Sequence, residues 1–148
     1  KSRYYYFQVY FSFNQKQDIK RQDFNLLIYM KKDPIVYLSH ILDSIEKIEE
    51  YSSGLSKKEF LASTKAQDAV MRRLEIIGEA VKNLSPSFKK NYPDIPWKQA
   101  AGMRDVLIHE YFGVDAGLVW NTIKKDLEKL KKQIEKIIAN NKQKLIEI

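Results

Sequence analysis

Apolar residues recur at helical spacing along most of the chain. Val70, Leu74, Ile77, Val81 and Leu84 step 4-3-4-3 and predict a straight helix seam for packing against other helices. Ala116, Trp120, Ile123, Leu127, Leu130, Ile134 and Ile137 step 4-3-4-3-4-3, the strongest periodicity in the chain, and predict one long last helix. Leu38, Ile41, Leu42, Ile45 and Ile48 form a third stripe, with His40 on its opposite, solvated face. The first 29 residues break this rhythm. Tyr5, Phe7, Val9, Phe11 and Phe13 alternate with Tyr6, Gln8, Tyr10 and Ser12, which is the period of an extended strand.

The residues between the stripes supply the punctuation. Asp33-Pro34 starts the first helix, because proline at the first helical position loses no hydrogen bond, and Gly54 stops it. Ser56-Lys57-Lys58-Glu59 and Thr64-Lys65-Ala66-Gln67 both fit capping boxes, Ser85-Pro86 opens a short turn, and Asp115 caps the last helix. Gly78 lies inside the central seam, where glycine costs about 1 kcal/mol relative to alanine; its use there points to a close helix approach. Pro93 and Pro96 forbid continuous helix, and Pro96 suits the start of a helix whose buried side is Trp97, Ala100, Ala101, Leu107 and Ile108, ended by Gly113. The expected fold is all-α, an antiparallel bundle of about five helices over residues 30–148, preceded by an extension over residues 1–29 containing a possible strand. Met30 is a natural place for the helical domain to begin. The extension has an uncertain origin; an exposed aromatic strand there would be able to pair with another chain.

Composition narrows the chemistry. The 148 residues suit one core, no apolar run is long enough to span a bilayer, and the absence of cysteine excludes disulfides and thiolate catalysis. With two histidines a histidine-rich metal site is not expected, nor is a cofactor, and a cytoplasmic location is compatible. The net charge of +7 is uneven: residues 124–144 carry eight lysines against three acids. A polyanion would be attracted by such an excess, although solvated lysine-rich helix faces have the same composition.

The densest chemistry lies in residues 102–113, where Arg104, Asp105, His109 and Tyr111 fall within eight residues. On one helix Arg104 and His109 are roughly 140° and 7.5 Å apart, so they do not converge within a single chain. Asp105 and His109 are i, i+4 neighbours, which would let the carboxylate orient the imidazole for proton transfer. Arg104 can grip a phosphate with its planar fork. An arginine with a histidine can promote attack of an RNA 2′-hydroxyl on its own phosphodiester without a metal.

Arg104-x4-His109-x-Tyr111 resembles the Arg-x4-His-x-Tyr signature of HepT-like toxins in the HEPN superfamily. Leu74-Glu75-Ile76-Ile77-Gly78-Glu79-Ala80, Ile95-Pro96-Trp97 and Tyr111-Phe112-Gly113-Val114-Asp115 extend the likeness from about Met30 to Ile138. The resemblance implies a helical homodimer with motifs facing across a cleft, acting as a metal-independent endoribonuclease toxin on RNA. Its implied partner is a cognate minimal nucleotidyltransferase antitoxin that transfers AMP to Tyr111 and silences the site. Arg104 would then polarise the scissile phosphate, His109 would transfer protons, and Asp105 would orient His109. Two other readings fit the same residues: a non-catalytic HEPN module binding a nucleotidyltransferase or nucleotide, and a helical dimerisation protein in which Arg104 and Asp105 merely pair.

Overall fold

The computed structural model describes residues 33–109 and 113–146, with side chains as far as residue 141. The aromatic strand expected over residues 5–13, the boundary at Met30 and the position of Tyr111 lie outside the described residues. Residues from Pro34 onward form one compact unit. Its described part is all-α: α1 (Pro34–Ser52), α2 (Lys57–Ala62), α3 (Thr64–Asn83), α4 (Pro86–Lys90), α5 (Trp97–His109), α6 (Ala116–Lys125) and α7 (Leu127–Ile146).

The apolar stripes form the core. Every member of the α3 seam is buried, as are Leu38, Ile41, Ile45 and Ile48 of α1 and Ile123, Leu127, Leu130, Ile134 and Ile137 of α6 and α7. Burying such side chains contributes about 1.5–3 kcal/mol each, which makes these stripes the main source of stability. The central helix is α3, packed most extensively on α1 and α5, while α7 covers α1 and α2 bridges α3 and α6.

Local signals set most of the boundaries. Gly54 follows α1 at φ +70°, a left-handed conformation that costs glycine little. The Ser56–Glu59 capping box is complete, and Asp115 accepts hydrogen bonds from the Gly117 and Leu118 amides. The second expected box is shifted by one residue. Ser63, not Thr64, caps α3 through the Ala66 amide, and Gln67 instead donates to the Phe60 and Leu61 carbonyls, tying α3 to the end of α2. The long last helix is also corrected, into α6 and α7 separated at Asp126. This is a bend, because the Asp126 amide still donates to the Thr122 carbonyl and the Leu130 amide to that of Asp126.

The start of α5 is anchored by aromatics. Trp97 is buried and donates its indole N–H to the Tyr92 carbonyl at 3.0 Å, with its ring 6.4 Å from that of Phe88. Gln133 of α7 donates to the Asp94 carbonyl, so the proline-containing turn is held from two sides. The register of α5 against α3 is thereby fixed at one end before the motif begins.

Candidate functional site

Gly78 is where α3 and α5 come closest. A side-chain carbon at Gly78 would lie 2.9 Å from the Ala100 carbonyl oxygen and would overlap the Arg104 Cβ. The missing side chain thus fits the close approach expected from sequence, and the backbone of Arg104 rests directly on α3. The next residue of α3, Glu79, and Lys82 one turn along face the same part of α5. Glu79 Oε2 lies 3.2 Å from Arg104 Nε, and Lys82 Nζ donates to Asp105 Oδ1.

Arg104 is held from two sides. Its Nη1 donates to Asp105 Oδ1 at 3.1 Å, while its buried Nε sits beside Glu79 with the N–H off the direction of the carboxylate, so that contact is an ion pair without a hydrogen bond. The side chain is about a quarter exposed, leaving part of the guanidinium reachable from solvent. Two cations depress the Asp105 pKa below the usual carboxylate range: hydrogen bonding from Lys82 contributes most and that from Arg104 next.

His109 is exposed at the last described residue of α5. The expected Asp105–His109 pairing is not formed; among the described residues the Asp105 carboxylate is engaged by Lys82 and Arg104. Lys82 reaches it across the α3–α5 contact. Within one chain Arg104 and His109 are not joined by a hydrogen bond, in keeping with their angular separation on the helix.

Beside Arg104 opens a depression of about 350 Å³ between α1, α3 and α5. Ile76, Ala80 and Ile108 give it an apolar surface, and His40, Glu75, Glu79 and Asn83 are among the polar residues around it. Ile108 is 43% exposed, correcting its expected place on the buried side of α5, and Ala100 and Ala101 are only partly buried. His40 is exposed as expected, yet it lines the same depression as Arg104. Spacing within one helix could not associate these two residues. Gly78 was the available signal for Glu79 and Lys82, since a glycine at a helix crossing marks the turn that faces the neighbour.

A family model described as "Ribonuclease HepT-like" matches residues 41–137, well over half of the chain and including all of α5. The chain belongs to the HepT-like family. Among similar proteins, "Probable ribonuclease HepT" of Thermococcus cleftensis is 48% identical over 108 residues, covering 73% of this chain and 98% of that protein. "Putative RNase TTE0752" of Caldanaerobacter subterraneus is 46% identical over 111 residues, covering 75% and 99%. A Methanocaldococcus jannaschii protein named "Gamma-glutamylcyclotransferase and putative RNase MJ0434" is 56% identical over 109 residues, 74% of this chain but only 49% of that longer protein. No solved structure matches. In this HepT-like chain the family model leaves residues 1–29 unmatched. Among the described residues, no helix is long and apolar enough to cross a membrane.

Proposed function

We propose that this HepT-like protein is a metal-independent endoribonuclease toxin whose active site is completed by two copies of the chain. The observation that carries the reading is the placement of Arg104: its backbone is seated on Gly78, its guanidinium is steadied by Glu79 and Asp105, and part of it remains accessible five residues before the exposed His109. Relatives named as ribonucleases support RNA as the substrate.

In the proposed reaction the 2′-hydroxyl of a ribose attacks the adjacent phosphorus, and the bond from phosphorus to the 5′-oxygen of the next nucleotide breaks. The products are a 2′,3′-cyclic phosphate and a free 5′-hydroxyl. His109 of one copy accepts the 2′-hydroxyl proton, and the same residue of the partner protonates the departing oxygen. Arg104 stabilises the negative charge that builds on the phosphoryl oxygens. Asp105 acts through Arg104 in this scheme, by holding its guanidinium. The scheme does not route the orientation of His109 through Asp105, since the hydrogen bonds of that carboxylate go to Lys82 and Arg104.

The site is silenced when a partner nucleotidyltransferase antitoxin transfers AMP to Tyr111, two residues beyond His109, where a bulky anion would obstruct the phosphate. The test is cleavage of single-stranded RNA by purified protein in the presence of a chelator. Arg104→Ala and His109→Ala should each reduce the rate by at least about 10²-fold, the scale of a general acid or base or of a charge-stabilising donor. Undiminished cutting by both variants would refute the assignment.

A further inference from the structure

We infer that the depression between α1, α3 and α5 is a nucleobase subsite, holding the base of a nucleotide that flanks the phosphate gripped by Arg104, with His40 and Ile108 as its specificity-determining residues. The inference rests on the nuclease reading and extends it to how the RNA strand lies. Arg104 belongs to both places: its guanidinium would meet the phosphate, and it also lines the depression. A base adjoining that phosphate is therefore the group placed to enter the depression.

The chemistry of the lining suits a base better than a phosphate. The volume of about 350 Å³ is near the small end of ligand sites, which run roughly 300–1,000 Å³. Ile76, Ala80 and Ile108 offer apolar surface to the faces of a flat ring, while polar groups surround it for the ring's edge. The two acids are already engaged, Glu75 by Arg72 at 2.8 Å and Glu79 by Arg104 and by Asn83 Nδ2. With Asn83 Nδ2 occupied, its Oδ1 has no donor among the described residues, and neither does His40 have a hydrogen-bond partner there. An acceptor and an imidazole are thus left for base edges. Ile108 points its side chain at this space although 43% of it is exposed, an arrangement that covering by a base would relieve.

The test is a coupling experiment on the full-length chain. The cleavage position in a single-stranded RNA is mapped, and the nucleotides on its two sides are replaced in turn by an abasic ribonucleotide. For the unaltered protein, one of the two replacements should raise KM about tenfold, the order expected when a stacked base is lost. His40→Ala and Ile108→Ser, both at exposed positions, should raise KM by a similar factor, with kcat changed less. They should also erase most of the abasic penalty, because the base and its pocket are lost only once. His40→Gln, which keeps a hydrogen-bonding group, should restore part of it.

An abasic penalty that persists undiminished in both variants would overturn the inference. So would sedimentation showing that His40→Ala or Ile108→Ser dissociates the protein while the penalty is retained, since the depression would then be covered by a second copy. If the unaltered protein cuts no RNA, the nuclease reading itself falls, and the subsite falls with it.

Discussion

Gly78 and Arg104 are in backbone-level contact: the space where a side chain at Gly78 would begin is filled by the Cβ of Arg104. Gly78→Ala should therefore push α5 off α3, at a cost of about 1–3 kcal/mol, as overpacking of a tight contact usually does. Denaturant unfolding would check the stability, and RNA cleavage should fall with it because Arg104 moves. Gly102→Ala is the contrast, since a side chain there meets nothing within 4 Å in the chain. It should leave monomer stability unchanged or raise it by up to about 1 kcal/mol.

Arg104→Lys should not substitute for arginine. A lysine keeps the charge but loses the planar fork that holds Asp105 and presents further donors to a phosphate. A fall in kcat of about 10²–10³ is expected, comparable with loss of one charge-stabilising donor. Single-turnover cleavage measures it, and a variant within a few-fold of the unaltered protein would show that the fork is dispensable.

Lys82→Met should let the Asp105 pKa rise towards the ordinary carboxylate range, because Lys82 is the larger cause of its depression. Since the folded-state pKa is lowered, the pair stabilises the fold above the unfolded carboxylate pKa. That contribution is lost as pH falls through the depressed folded value. Carboxyl-carbon NMR titration of Asp105 in the two proteins checks the shift. The variant should show less loss of stability on acidification than the unaltered chain, and an unchanged Asp105 titration would contradict the assigned cause.

Tyr111→Phe should abolish silencing without abolishing cleavage. Co-expression with a nucleotidyltransferase encoded beside the protein should add the mass of one AMP to the unaltered chain at Tyr111 and none to the variant. Intact-mass and peptide mass spectrometry read this directly. AMP addition at another residue would separate the antitoxin partnership from the proposed site.

The core was legible because burial and periodicity are the same fact seen twice: Val70, Leu74, Ile77, Val81 and Leu84 are spaced for one face and all lie inside. Caps were legible to within a residue. Ser63 and Thr64 are both competent hydroxyl caps, and the Gln67 amide found carbonyls at the end of α2 that a box confined to four residues does not include. Ile108 was misplaced because a hydrophobic side chain facing a depression has the same letter as one facing a core. Asp105 found Lys82, 23 residues earlier, in preference to its i, i+4 neighbour His109. Such a partner follows from the crossing of α3 over α5, and no local spacing encodes it.

Arg104 rests against Glu79 and Asp105, so an incoming phosphate meets a guanidinium whose charge is already partly balanced, although some of its donors stay free. Those carboxylates are built into the same chain, and their effective concentration beside Arg104 is at least on the order of millimolar. A free anion must compete for the arginine on its own, whereas an RNA strand arrives with several contacts made together. On the proposed reading, the acids beside the arginine therefore weigh against small phosphates and favour a polymer that makes several contacts at once.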